Sequence, residues 1–259
     1  MSSETVLVTG ASSGIGRELA KAFAADGSRL VLVARKRQAL QQLADELRQA
    51  HKSQSEVLTA DLAQPSTPAR IFEHLQTNGT RVDVLINNAG FGAHGEFVKL
   101  PLERQLEMIQ VNVTSLTHLT RLMLPSMLER RRGGVLNVAS TAGFQPGPGM
   151  AVYYATKAFV LSLSEAIAEE VRGSGVTVSA LCPGPTATNF NAAAGARFSR
   201  GFMRSAMSAE AVARMGHRAF RNGSSVAITG FRNKLLAFST RLAPRAVVRR
   251  IVKGLNASN

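Results

Sequence analysis

Residues 151 to 159 read AVYYATKAF, with Tyr153 and Tyr154 four and three positions ahead of Lys157. On a helix both spacings bring a phenol near the lysine. Such a pair is suited to proton transfer. An unperturbed tyrosine, with a pKa of about 10, gives up its proton reluctantly, and a neighbouring ammonium favours the phenolate. Spacing alone does not choose between the two tyrosines.

A second chemistry-bearing stretch is TGASSGIG, residues 9 to 16, with Gly10, Gly14 and Gly16 around Ser12, Ser13 and Ile15. It lies between a strand-like and a helix-like segment, where backbone can approach a pyrophosphate closely and the helix N-terminus offers free N–H groups. It departs from the G-x-G-x-x-G fingerprint, because Leu19 stands where a third glycine would fall. NAD-binding folds place an acid about 20 residues further on, against the ribose 2′-hydroxyl. Here the positions read Ala34, Arg35, Lys36 and Arg37. With no carboxylate to repel a 2′-phosphate, and Arg35 available to grip one, NADP is the expected cofactor. Arg17 is a candidate second contact.

The elements that must position these residues follow from hydrophobic periodicity. Short β-branched runs recur as TVLVT (5–9), LVLVA (30–34), EVLTA (56–60), DVLIN (83–87), GVLNVAS (134–140), VTVSAL (176–181) and SVAIT (225–229). Helical patterns separate them: Ile15, Leu19, Ala20 and Phe23 mark one helix face, Leu40, Leu43 and Leu47 another. Strands apolar throughout and alternating with helices indicate a parallel sheet covered on both faces. No linker or repeat divides residues 1–259, which read as a single domain.

Composition narrows the class. The single cysteine, Cys182, excludes an internal disulfide and a cysteine-rich metal site, and is expected to be a buried apolar residue. No histidine cluster has ligand spacing, so no metal is expected; His94 is a candidate substrate contact, His118 and His217 structural residues. Without an apparent secretory signal or bilayer-length apolar run, the expected location is the cytoplasm. The net charge of +14 is uneven: from Arg197 onward thirteen basic residues face one acid, Glu210. That asymmetry calls for an acidic partner or surface.

Several motifs occur together: TGASSGIG, DL at 61–62, NNAG at 87–90, Asn112 in VNV, Ser140, YYATK, and PGPTAT at 183–188. Through them residues 5 to about 190 resemble the classical short-chain dehydrogenase/reductase family. Within the family, LVLVAR, NNAGFG and CPGPTAT resemble a broad bacterial group of oxidoreductases with varied or unassigned substrates, and more distantly 3-oxoacyl reductases and 17β-hydroxysteroid dehydrogenases. The resemblance implies a Rossmann-type doubly wound α/β sheet of about seven strands in the order 3-2-1-4-5-6-7. It also implies NADP(H)-dependent interconversion of a carbonyl and an alcohol. The family pattern Tyr-x-x-x-Lys selects Tyr153 as general acid/base and leaves Tyr154 to pack on a helix or the pocket wall. Lys157 is then expected to tune Tyr153 and hold the nicotinamide ribose, Ser140 to bind the substrate oxygen, and Asn112 to hold a relay water. By the same resemblance Asp61 and Leu62 flank the adenine, while Asn88, Ala89 and Gly90 line the adenine-side ribose and the central crevice. Thr188, with backbone from the Pro183–Gly184 turn, is expected to hold the nicotinamide carboxamide, with Thr186 a second candidate, and Asn87 to serve as glue between strands.

The segment 189–215 is expected to close over an apolar carbonyl substrate, with Phe190, Phe198, Phe202, Met203 and Met207 supplying apolar surface. Arg197, Arg200 and Arg204 could meet an anionic end. A homodimer or homotetramer is expected, and no nucleic acid. Residues 231–259 read as a basic helical extension, a candidate for peripheral contact with an anionic membrane surface. It could instead close the pocket or meet a second subunit. The alternative to an enzyme is a cofactor-binding sensor, scaffold or membrane-surface protein on the same fold, although the Ser–Tyr–Lys set is whole.

Overall fold

Side chains along a strand point alternately to its two faces, so a strand apolar at every position must be covered on both sides. The computed structural model describes residues 4–195 and 206–256 and shows that arrangement. β1 (Thr5–Thr9), β2 (Arg29–Ala34), β3 (Ser55–Thr59), β4 (Val84–Asn87), β5 (Gly134–Val138), β6 (Thr177–Cys182) and β9 (Val226–Ile228) form one parallel sheet. Its order is 3-2-1-4-5-6-9. Two short strands, β7 (Thr186–Ala187) and β8 (Met207–Ser208), pair only with each other. The last sheet strand is therefore the seventh in space, as expected.

The alternation is visible in the core. Val6, Val8, Leu30, Leu32, Ile86 and Leu136 pack with α1 (Gly14–Ala25), α2 (Arg37–His51) and α8 (Ala209–Arg221). Leu7, Val31, Leu85, Val135 and Val178 point the other way, toward α3 (Thr67–Thr77), α5 (Leu116–Glu129) and α6 (Ala151–Glu170). Leu19, Phe23, Leu40, Leu43 and Leu47 are fully buried, which bears out the helix faces read from their spacing. α4 (Leu102–Ile109), α7 (Phe190–Ala193), α9 (Phe231–Leu242) and α10 (Arg245–Asn256) complete the fold. Pro244 lies between the last two helices, where its fixed φ and missing N–H favour a break.

Strand order reverses between β1 and β4, the place where open α/β sheets leave a crevice beyond the strand C-termini. Thr9 ties that crevice together. Its hydroxyl donates to the Ile86 carbonyl (3.2 Å) and accepts from the N–H groups of Asn88 and Ala89 (3.0 Å each). The expected lid, 189–215, overlaps the start of α8. Residues from Ala209 belong to α8, whose Val212 and Ala213 are buried in the sheet-facing core.

Candidate active site

Tyr153 and Lys157 lie one turn apart on α6, and both are buried. The Lys157 ammonium donates to the Val138 carbonyl at 2.7 Å and lies 5.9 Å from the centre of the Tyr153 ring. Burial, which penalises the charged form, lowers its pKa to about 8. Burial also pushes the Tyr153 phenol up to about 12, against the opposing pull of a hydrogen bond with Ser140. Desolvation is the largest cause of both shifts.

Ser140 follows β5 and caps a 3-10 turn, Thr141–Phe144, accepting the Ala142 N–H at 3.0 Å. Asn112 sits in a π-helical segment, Gln110–Ser115, which widens the helix at that point. Its amide donates to the Phe91 carbonyl (2.9 Å) and Thr156 hydroxyl (3.1 Å), and its Oδ1 accepts the Phe91 N–H (3.1 Å). Gly90 lets these groups meet. A Cβ there would stand 3.0 Å from Asn112 Oδ1 and 3.4 Å from Lys157 Nζ. Asn112, Ser140, Tyr153 and Lys157, scattered over α4–α6 in the chain, thus converge. Thr156 and the Phe91 backbone are partners that spacing did not reveal.

The glycine loop is shaped by close approach. Gly10 and Gly14 have φ of +64° and +56°, in the region that favours glycine. A Cβ at Gly16 would collide with Asn88 Nδ2 and the Gly10 carbonyl. The Asn88 amide itself donates to the carbonyls of Thr9 (3.0 Å) and Gly10 (3.2 Å), so its side chain braces the loop. Ser12, Ser13 and Ile15 surround the start of α1, with Ser13 at the N-cap. Across the loop a Gly14 Cβ would lie 3.2 Å from Thr188 Cγ2. The Thr188 hydroxyl accepts the Phe190 N–H (3.3 Å), and Thr186 donates to the Gly184 carbonyl (2.9 Å). The Pro183 carbonyl accepts the Thr141 N–H (2.8 Å), joining the PGPTAT turn to Ser140.

Other expected residues are placed more precisely. Asp61 accepts the Ala63 N–H (3.1 Å), while the Leu62 side chain packs into the core and its carbonyl accepts from Ser115. Asn87 donates to Thr120 and Asn137, gluing strands as expected. Arg35 is exposed, with no ion pair among the described residues. Arg17 is not free for a 2′-phosphate as it stands, because Glu46 of α2 pairs with it. Cys182 is fully buried, and burial raises its thiol to about 12.

Tyr154 reaches the final helix. Its hydroxyl donates to Asn256 Oδ1 (3.2 Å), His94 meets the Asn256 carbonyl (2.7 Å), and Asn256 Nδ2 donates to the Pro148 carbonyl (2.9 Å). Asn256 was not legible as a site neighbour, lying 102 residues from Tyr154. Around Tyr153 the wall is apolar: the Phe190 ring lies 5.2 Å away, with Ala93, Met108 and Met150 in the same cluster. Arg197, Phe198, Arg200, Phe202, Met203 and Arg204 lie outside the described residues.

The family model "short chain dehydrogenase" matches residues 4–197. The chain belongs to the short-chain dehydrogenase family. Similar curated proteins include an uncharacterised oxidoreductase of Bacillus subtilis, 36% identical over 71% of this chain and 68% of that protein. Another is the very-long-chain 3-oxoacyl-CoA reductase of Homo sapiens, 33% identical over 70% of this chain and only 58% of that protein's length. A short-chain dehydrogenase from Sphingobium yanoikuyae, solved with NADPH, superposes with a TM-score of 0.83 at 35% identity, covering 92% of this chain and 93% of that one. A family member from Burkholderia phymatum, solved with NAD, gives 0.82 at 26% identity over 99% and 98%. This short-chain dehydrogenase thus has the fold of cofactor-bound oxidoreductases along nearly its whole length.

Proposed function

We propose that this short-chain dehydrogenase is an NADP(H)-dependent carbonyl reductase acting on an apolar ketone, aldehyde or 3-oxoacyl-type substrate, reversible as an alcohol dehydrogenase. The observation that carries the reading is the convergence of Ser140, Tyr153, Lys157 and Asn112 beside an apolar wall. Bound NADPH supplies the hydride that the carbonyl carbon must receive. The protein supplies the proton for the oxygen. Tyr153, held neutral by burial, is suited to donate it, and Ser140 to hydrogen-bond the oxygen as charge develops. Lys157, with a pKa of about 8, can exchange a proton near neutral pH and reload the phenolate. Asn112 holds the Phe91 backbone, and with it the approach to Lys157.

The cradle fits the cofactor. The positive-φ glycines suit backbone that a pyrophosphate approaches at the N-terminus of α1, and Gly16, lacking a side chain, lets Asn88 brace that loop. Thr188, Thr186 and the Pro183–Gly184 turn would hold the nicotinamide half, Asp61 and Leu62 the adenine, and Asn88, Ala89 and Gly90 the adenine-side ribose and central crevice. Unpaired Arg35 favours the 2′-phosphate, with NADPH in the Sphingobium neighbour as further support. Self-association through exposed Leu102, Leu106 and Ile109 of α4 and Phe159 of α6 is part of the same reading, and sedimentation would measure it.

The test is NADPH oxidation against a panel of aldehydes, β-keto esters, acyl thioesters and ketosteroids. At least one apolar carbonyl should be reduced. Tyr153→Phe should lose that activity by at least about 100-fold while binding NADPH nearly as wild type, since it removes the proton donor alone. Equal rates in wild type and Tyr153→Phe would refute the mechanism.

A further inference from the structure

We propose that the helix pair Phe231–Asn256 is a docking surface for anionic phospholipid bilayers, independent of the reductase chemistry. The pair lies outside the residues matched by the family model. Among the described residues no helix is long and apolar enough to cross a membrane, so the contact would be peripheral.

One side of the pair is already occupied. In α10, Val248, Val252 and Asn256 are buried against the body, and Asn256 is latched to His94, Pro148 and Tyr154. In α9, Ala237 takes the inward position. The outward side carries several strongly exposed large apolar groups. Phe231 is 80% exposed and Leu242 75%, with Leu235 and Phe238 between them. At 100° per residue these four positions fall within about 60° of one another, a single stripe along α9. Val247, Ile251 and Leu255 are exposed apolar residues of α10.

Charge selects the occupant. Residues 231–256 hold seven basic residues and no acid. A symmetric second copy would bring two such faces together with no carboxylate from either, whereas an anionic leaflet neutralises them. Lys234 and Arg241 lie about 70–90° to one side of the stripe's centre, where their stems can follow apolar surface and their charges reach headgroups. Both also line a cavity of about 340 Å³ whose other walls are Phe144, Val226, Ile228, Ala237 and Phe238. An apolar groove with two cations beside it matches an acyl chain ending in an anionic headgroup.

The test is flotation of the full chain with phosphatidylcholine vesicles and with phosphatidylcholine–phosphatidylglycerol vesicles, at low and high salt. The protein should float with the anionic vesicles at low salt and release at high salt. Lys234→Gln with Arg241→Gln should weaken partitioning roughly 30-fold, at about five-fold for each charge. Leu235→Asp with Leu242→Asp should abolish it. Melting temperature and NADPH binding in the variants check that the fold is kept. No flotation at low salt, or equal flotation with neutral vesicles, would overturn the proposal. So would a halved mass of the Leu235→Asp, Leu242→Asp protein on sedimentation with unchanged vesicle binding, because the stripe would then cover a second copy.

Discussion

Burial sets the two key protonation states, and its sign can be read from the pH dependence of stability. The Lys157 pKa falls from 10.5 to about 8 on folding, so between those values the unfolded chain binds the proton more readily. Stability must therefore rise with pH from about 8. The Cys182 thiol moves the other way, from 9.0 to about 12, and Tyr153 from 10.0 to about 12, so both lower stability as pH climbs through those windows. Lys157 acts with least opposition between pH 8 and 9. Scanning fluorimetry should show the melting temperature rising there in wild type, and the rise should vanish in Lys157→Met. Arg35 poses a second question at this scale. Arg35→Asp should cut the preference for NADPH over NADH by at least about ten-fold, the worth of one charge-assisted hydrogen bond. Fluorescence titration of both cofactors measures the change, and a wild-type preference for NADH would contradict the reading of the β2 terminus.

At the scale of elements, the end of α10 is joined to the segment before α6 and to α6 itself by one side chain. Asn256→Ala removes the bonds to Tyr154 and Pro148 but leaves the backbone carbonyl that His94 meets. About 1–3 kcal/mol of local stability should go with them, seen as faster deuterium exchange in peptides from 245–256. Tyr154→Phe removes only one of these bonds and should retain most carbonyl reduction, separating it from Tyr153. Exchange in α10 unchanged by Asn256→Ala would show that Val248 and Val252 alone hold the helix.

Across the whole molecule, a clamp ties the residue before β1 and the end of α1 to the end of α8. Arg221 of α8 donates to both oxygens of Glu4 (2.8 and 2.7 Å) and to Asp26 (3.0 Å), and its guanidinium lies over the Phe23 ring at 4.6 Å. Burial raises the Glu4 pKa, but pairing with Arg221 more than offsets it, so the carboxyl titrates below its usual range. The clamp's stabilisation is thus present above the unfolded pKa and lost as pH falls through the folded one. After discounting for partial exposure, Arg221→Met should cost about 1–2 kcal/mol, or roughly 2–6 °C in melting temperature. Calorimetry should also show a shallower loss of stability below pH 4.5 in the variant.

The sheet, its two covered faces and most of the candidate site were legible in the residues. Apolar alternation is a local property of each strand, and TGASSGIG, NNAG and Tyr-x-x-x-Lys keep their chemistry within a few positions. Even the choice of Tyr153 came from a short motif. Other features depended on groups distant in the chain. Lys157 reads as a free ammonium beside a phenol until its bond to the Val138 carbonyl and the burial of both side chains are known. Arg17 reads as a phosphate ligand until α2 brings Glu46 beside it. His94 and Tyr154 acquire a shared partner only when α10 folds back to place Asn256 between them. Desolvation and long-range pairing depend on what surrounds a side chain in three dimensions, and no local window of sequence contains that information.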